Sequence, residues 1–97
     1  MPAKIILHTK QIKEDEIVEI KIWQLPESKS RTHQVKFSIV YVKNGKRLIG
    51  YDNAEGKGFH RHVGGKEETY NFVDIGKLLE DFRRDLTRER GKDWDED

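Results

Sequence analysis

The chain has 97 residues, of which 34% are hydrophobic and 38% charged, with no cysteine and a formal net charge of +1. This length suits one domain with a modest core, and the lack of cysteine excludes a disulfide scaffold, thiolate catalysis and cysteine-ligated metal. No apolar run approaches the ~18 residues of a membrane span, and the N-terminus lacks the apolar segment of a signal peptide. A cytoplasmic protein without membrane association is therefore expected.

Charge is distributed unevenly along the chain. From Lys43 to Lys66 there are six lysines and arginines against two acids, whereas residues 93–97 include four acids. A polyanion such as RNA could bind the basic middle without meeting the acidic end.

The N-terminal half predicts two strands joined in a hairpin. Residues 4–11 open with an apolar run typical of a short strand near a sheet edge. Residues 17–25 alternate between apolar and charged side chains, which is the period of a half-buried strand. Pro26 ends this strand, and residues 26–32 form a polar loop.

A second hairpin follows in the middle of the chain. Residues 33–42 are the longest strand candidate, and residues 46–51 return as its partner. Asn44-Gly45 lies between them, and this pair favours the positive φ angles of a two-residue hairpin turn. Residues 69–72 are predicted to form a last short strand.

The C-terminal part predicts one amphipathic helix. Asp74 is a suitable N-cap, and Gly91 is a suitable end. One apolar stripe with helical spacing comprises Ile75, Leu78, Leu79, Phe82 and Leu86, and the opposite face comprises Lys77, Glu80, Arg83, Arg84 and Asp85. The predicted fold is α+β, with an antiparallel sheet of four to five strands and the helix packed on one face. Residues 1–90 form the domain, and residues 91–97 form a charged, disordered tail.

Residues 50–70 depart from these regular patterns. Five of the eight glycines gather there around two histidines, one arginine, two lysines and two tyrosines. Glycine inside an element costs about 0.5–1 kcal/mol relative to alanine, so such a run indicates backbone shaped for a turn or a ligand. This stretch is the candidate functional region.

The residue types in this stretch suit the cleavage of RNA without a metal. An extended conformation would place His60 and His62 on one face, about 6.6 Å apart along the strand. The reaction needs a base, an acid and cations for the phosphorane, and histidine titrates near neutral pH. The predicted catalytic residues are His60, His62 and Arg61. The predicted substrate-binding residues are Lys57, Lys66, Tyr51, Asp52, Asn53 and Tyr70.

Three other interpretations stay open. The stretch could be a surface hairpin whose histidines only bond to nearby backbone, and Asp52-Asn53 could simply make a turn. His60 and His62 could instead be two metal ligands, although the spacing selects no third ligand. The basic loop could also bind nucleic acid without catalysis.

The motif YDN…GKG.HRH.GG, in residues 51–58 and 60–68, resembles the TumE-type toxin family. The resemblance continues through residues 70–72 and the predicted helix, with weaker similarity at residues 17–19 and 22–26. Phe59 stands where the family often has a polar residue. The resemblance implies a small intracellular toxin, held in check by a helix-turn-helix antitoxin encoded beside it. Ribonuclease activity is expected because many toxins of this size cut RNA. The resemblance does not identify any catalytic residue in this chain.

The sequence therefore predicts a toxin component of a toxin–antitoxin module that acts on RNA as a metal-independent endoribonuclease. Expected partners are the helix-turn-helix antitoxin, RNA and a second copy of the chain, with no cofactor or metal. The alternative is a non-catalytic nucleic-acid-binding or regulatory module that uses the same basic, glycine-rich loop. Whether the chain is an enzyme stays open at this stage.

Overall fold

The computed structural model describes residues 4–25, 35–54 and 58–96. Its six strands are β1 (Lys4–Lys13), β2 (Glu16–Gln24), β3 (Val35–Lys43), β4 (Lys46–Ala54), β5 (Gly58–Val63) and β6 (Lys66–Thr69), followed by helix α1 (Ile75–Arg90). The strands form one antiparallel sheet in chain order. The predicted loop at residues 26–32 lies outside the described residues.

The α+β fold with one C-terminal helix is confirmed, but the sheet has six strands rather than four to five. The glycine-rich stretch supplies the β5–β6 hairpin. The strand predicted at residues 69–72 is wrong, because β6 spans Lys66–Thr69. All four side chains of β6 are exposed, so this strand has no apolar alternation to reveal it in the sequence.

Two hairpin turns depend on positive φ angles. Asn44 and Gly45 have φ of 53° and 75°, which confirms the predicted turn between β3 and β4. Gly64 and Gly65, with φ of 59° and 81°, make the corresponding turn between β5 and β6. The second pair fixes the register that places β6 beside β5.

Helix α1 begins and ends at the predicted caps. The Asp74 carboxylate accepts a hydrogen bond from the backbone N–H of Lys77 at 2.7 Å, and Gly91 adopts a left-handed φ of 78°. The predicted stripe packs on one face of the sheet, where Leu78, Phe82 and Leu86 are buried. The sheet side of this core includes Ile22, Phe37, Ile39, Tyr41, Ile49 and Tyr51. In the described part of the chain, no helix is long and apolar enough to cross a membrane.

The end of the chain contacts the sheet through Trp94. Trp94 is only 7% exposed, and its ring packs edge-on against Tyr41 with 6.4 Å between ring centroids. The Lys13 ammonium and the Arg90 guanidinium lie 4.5 Å and 4.8 Å from the centroid of the Trp94 ring. One large aromatic side chain therefore holds residues 91–96 against the sheet, despite their acidic composition.

At the same end of the fold, Glu16 makes the free energy of unfolding depend on pH. Arg90 Nε donates to Glu16 Oε1 at 2.7 Å, and the Tyr41 hydroxyl donates to the same oxygen at 2.6 Å. These hydrogen bonds, that from Arg90 foremost, lower the pKa of Glu16 from 4.5 to about 2. Because the pKa is depressed in the folded state, the stabilisation is complete above pH 4.5 and is lost as the pH falls towards 2.

We expect Glu16→Gln to lose roughly 2 kcal/mol of unfolding free energy at pH 7, since it weakens hydrogen bonds to a charged group. The variant should also lose less stability than the wild type between pH 4.5 and about pH 2. Urea denaturation across this range measures both effects. Glu14→Gln, in the exposed β1–β2 turn, is the control. If the unfolding free energies of wild type and Glu16→Gln fell equally as the pH is lowered, the stabilising role of the Glu16 carboxylate would be contradicted.

Candidate functional site

The sheet has one face covered by α1 and one face turned away from it, which we call the open face. Directly paired residues share a face, so the strand registers trace rows across the sheet. One row on the open face runs His8, Lys21, Ser38, Asp52, His60 and Thr69. The next row runs Lys10, Glu19, Val40, Gly50, His62 and Glu67. No element within the described residues packs over this face.

His60 and His62 lie side by side on the open face. β5 is extended, so these two side chains point in the same direction. His60 Nδ1 and His62 Nε2 each lie 3.5 Å from the same oxygen, Oε1 of Glu67. The side chains of the two histidines are 23% and 25% exposed, so a ligand on the sheet can reach both rings. The arrangement is a pair of imidazoles with one carboxylate within ion-pair distance of both.

Asp52 is the other predicted residue that the structure places beside this pair. It lies directly opposite His60 on β4 and opposite Ser38 on β3. Its carboxylate therefore belongs to the same polar row as the His60 ring. Across residues 4–25, 35–54 and 58–96, no three His, Asp or Glu side chains are arranged to hold a metal ion.

Arg47 is a residue of the open face that sequence reasoning missed. A Cβ built on Gly50 would lie 3.4 Å from both Cδ and Nε of Arg47, so the arginine side chain lies across this glycine. Gly50 is paired with His62, which puts Arg47 next to the histidine pair.

A break in the strand register explains why this residue was missed. The β3–β4 register shifts between Tyr41 and Val42, and Arg47 pairs with Val42 beyond the shift. Simple alternation back from buried Tyr51 would put Arg47 on the helix-covered face. The extra residue reverses that assignment, which is a common effect of a bulge.

Arg61 points to the opposite face, into the interior between the sheet and α1. Its Nε donates to Asp85 Oδ2 and its Nη2 donates to Asp85 Oδ1, both at 2.8 Å. The hydroxyl of Tyr51 also donates to Asp85, and Arg61 makes a further ion pair with Glu68. Asp85, predicted on the exposed face of the helix, has a side chain that is only 1% exposed. The structure therefore does not bring Arg61 together with His60 and His62.

The ionisation of this interior network is strongly biased. Burial alone would raise the pKa of Asp85, but hydrogen bonds from Arg61 and Tyr51 hold it below its ordinary value. Burial, followed by the hydrogen bond to Asp85, raises the pKa of Tyr51 far above its ordinary value. The hydrogen bonds with Asp85 raise the pKa of Arg61. At neutral pH, Asp85 therefore stays ionised, Arg61 stays protonated and Tyr51 stays neutral, which suits a structural role better than proton transfer.

Two further predicted binding residues are also engaged inside the fold. The Tyr70 hydroxyl donates to Asp81 Oδ2 at 2.5 Å, and Tyr70 is 8% exposed. The Asn53 side chain accepts from the Phe37 N–H and donates to the Val35 carbonyl, both at 2.8 Å. Asn53 thereby replaces backbone pairing at the end of the β3–β4 ladder.

The two predicted lysines are not shown beside the histidines. Lys66 is exposed at the β5–β6 turn and pairs with Val63, a residue packed against the core. Its side chain therefore belongs to the helix-covered face. Lys57 lies outside the described residues.

The fold and the site define a class: small α+β proteins with a helix on one sheet face and a histidine–carboxylate cluster on the other. A family model described as Toxin TumE matches residues 2–90. The chain belongs to the TumE toxin family, as the motif in residues 51–68 indicated, and membership implies an antitoxin partner. No curated protein and no solved structure matches the chain.

Proposed function

We propose that this toxin acts on RNA as a metal-independent endoribonuclease, with His60 and His62 as the general acid–base pair. One observation carries the proposal: ring nitrogens of both histidines lie 3.5 Å from one Glu67 oxygen, on a sheet face that α1 leaves uncovered. A carboxylate beside a ring nitrogen can orient the imidazole by accepting its N–H. We assign this positioning role to Glu67 for both rings.

The reaction needs one neutral and one protonated imidazole. The neutral ring accepts the proton of a ribose 2′-hydroxyl, whose oxygen then attacks the adjacent phosphorus. The bond from phosphorus to the 5′-oxygen breaks, and the protonated ring donates its proton to that oxygen. The products are a 2′,3′-cyclic phosphate and a 5′-hydroxyl.

Arg47 is the best-placed cation for the phosphate. The developing negative charge needs a donor on the same face as the acid and the base. Arg61 is paired with buried Asp85 on the other face, whereas Arg47 lies across Gly50 beside His62. We therefore assign phosphate stabilisation to Arg47.

The rest of the open face suits a single strand of RNA. Lys36 Nζ lies 5.8 Å from the centroid of the Trp23 ring, and the two residues are directly paired across β2 and β3. An aromatic ring and cations on one surface are the usual means of binding unpaired bases and phosphates. Lys21 lies on the same face, next to this pair and in the row that leads to His60.

The partner and the location follow from this role. An enzyme that cuts RNA inside its own cell must act in the cytoplasm and must be inhibited until needed. We propose a helix-turn-helix antitoxin as the inhibitor, since family membership implies an antitoxin in general.

Induced expression should stop growth and produce new RNA ends, and His60→Ala should abolish both effects. Total RNA from the two cultures is compared by mapping 5′-hydroxyl ends. His8→Ala is the matched control, because His8 also pairs with a glutamate, at 3.1 Å from Glu19 Oε2, but lies on β1. This control should arrest growth like the wild type.

Each other outcome points elsewhere. Arrest without new RNA ends would keep the toxin and reject the cleavage chemistry. New ends that persist in a folded His60→Ala variant would reject the histidine mechanism. RNA binding with no cleavage, and with steep salt dependence, would favour the non-catalytic binding module instead.

A further inference from the structure

Trp23 is a large aromatic side chain on the sheet face that α1 leaves uncovered. Its neighbour Ile22 is buried in the core on the other face, so the alternation of β2 turns Trp23 to the open face. There it is directly paired with Ile5 on β1 and with Lys36 on β3, and it is partly exposed. An accessible tryptophan outside the core is suited to contact a ligand that has a flat apolar face.

Lysines surround this ring. In the described part of β1, β2 and β3, the open face carries Lys10, Lys21 and Lys36 and the single acid Glu19. Lys21 Nζ is 3.9 Å from Glu19 Oε2, which is at the limit of an ion pair. Lys36 Nζ is 5.8 Å from the centroid of the Trp23 ring, which is close to the ~6 Å limit of a cation–π contact. Because both contacts are weak, the two ammonium groups can turn towards a phosphate.

An aromatic ring between two cations matches the parts of one nucleotide. A base stacks on an aromatic side chain through its flat face, and lysines along the groove bind the phosphates beside it. The base has to be unpaired and separated from its neighbours to reach such a ring, which excludes a continuous duplex. The chemistry of this surface therefore fits a nucleotide of a single strand.

The distance from the histidine pair limits where this nucleotide lies in the strand. Lys21 is in the same row as His60, with Ser38 and Asp52 between them. From β2 to β5 the row crosses three strand spacings, which is about 14 Å. Stacked nucleotides rise about 3.4 Å each, so this span holds about four nucleotides, and fewer where the strand is extended.

We propose that Trp23, Lys21 and Lys36 form a subsite for one unpaired nucleotide of the RNA, about two to four nucleotides from the bond that is cut. The base stacks on Trp23, and the two lysines bind the phosphates beside it. The subsite depends on the proposed function for the identity of its ligand. None of its three side chains takes part in the proton transfers, so binding and chemistry can be tested separately.

Binding is measured with a labelled oligonucleotide of about ten nucleotides, alternating adenosine and cytidine, in which every 2′-hydroxyl is methylated. This probe cannot pair with itself, and it cannot be cut because the attacking hydroxyl is blocked. Fluorescence anisotropy should show about tenfold weaker binding to Trp23→Ala than to the wild type, the loss expected for one stacked base. Ile12→Ala is the control and should bind like the wild type. Ile12 is 64% exposed on the same face, but it is paired with Ile17, far along β2 from Trp23.

Tryptophan fluorescence tests the stacking itself. The other tryptophan, Trp94, is 7% exposed and packs against Tyr41 on the helix-covered face, so quenching by the probe reports on Trp23. Trp23→Phe should keep most of the affinity, because phenylalanine also offers a ring, but it should lose the quenching. The probe annealed to its complement should bind more weakly and should not quench.

In the cleavage assay, the subsite should act on substrate binding and not on the chemical step. Trp23→Ala should therefore raise KM about tenfold and leave kcat unchanged. A single abasic residue within about four nucleotides of the cut should raise the KM of the wild type by a similar factor. The same abasic residue should have no further effect in Trp23→Ala, because the stacking contact is already lost.

Three results would overturn the subsite. They are equal binding of the probe by Trp23→Ala and Ile12→Ala, binding that leaves the wild-type tryptophan fluorescence unchanged, and cleavage whose KM no abasic position raises. Binding with the expected dependence on Trp23, in a protein that cuts no RNA, would keep the subsite and reject the ribonuclease. Cleavage by Trp23→Ala with an unchanged KM would keep the ribonuclease and reject the subsite. Circular dichroism confirms that each variant is folded.

Discussion

Asp85→Ala is expected to lower the free energy of unfolding by about 3 kcal/mol, because it removes the buried carboxylate that pairs with Arg61 and leaves this partly exposed guanidinium only the exposed Glu68. In the wild type, Arg61 donates twice to Asp85 at 2.8 Å, and the Tyr51 hydroxyl donates to the same carboxylate. Removing the carboxylate leaves both donors in a region where Tyr51 is fully buried. Urea denaturation at neutral pH measures the change.

Glu68→Ala is the matched control for this variant. Glu68 also forms an ion pair with Arg61, but its side chain is 58% exposed. An exposed pair contributes about 0–1 kcal/mol, so this change should have little effect. Equal effects of Asp85→Ala and Glu68→Ala would show that Asp85 does not anchor Arg61. Arg61 would then return as a candidate for the chemistry.

The position of Arg61 shows what alternation in the sequence can predict. The expectation that an extended chain puts His60 and His62 on one face agrees with β5. The same period of two sends the residue between them to the other face. Grouping all three as catalytic residues treated them as neighbours in sequence. Applying the alternation to each residue would have separated Arg61 from the pair.

Asp85, the partner of Arg61, was harder to predict from the sequence. Asp85 follows Arg84 in a highly charged stretch of α1, and charged helix residues are normally exposed. Two interior carboxylates, Asp81 and Asp85, take hydrogen bonds from Tyr70 and Tyr51 respectively. Which carboxylates of a helix face inward depends on which polar partners the sheet offers. That pairing is a tertiary property and leaves no local pattern.

Strand order and turns were easier to predict from the sequence than the register between strands. The Asn44-Gly45 turn and the helix caps each have a local physical signature, and the structure confirms them. The β5–β6 hairpin had its signature in Gly64-Gly65, but β6 lacks apolar residues and was not recognised. The bulge that turns Arg47 to the open face depends on pairing with β3, so it could not be derived from β4 alone.

In a purified system, His60→Ala and His62→Ala are each expected to reduce RNA cleavage by about 10²–10⁴-fold. Each loses a proton acceptor or donor, while Asp85 and the core stay intact. The rate is measured with a fluorescent oligoribonucleotide in the presence of EDTA. The wild-type rate should have a bell-shaped pH dependence, because one ring must be neutral and the other protonated. A rate that EDTA abolishes, or folded single variants that cleave normally, would contradict the mechanism.

Arg47→Ala tests in the same assay which face of the sheet carries the chemistry. It should reduce the rate by about 10²-fold, as the loss of one donor to a developing oxyanion does in other enzymes. Lys46→Ala removes a cation one residue away at the exposed β3–β4 turn and should change the rate little. A loss confined to Arg47→Ala would mean that phosphate meets the sheet at Gly50, beside His62, where the arginine lies. Equal small losses in Arg47→Ala and Lys46→Ala would mean that both cations contribute only to the overall positive charge of this region. The reacting phosphate would then have to bind elsewhere on the protein.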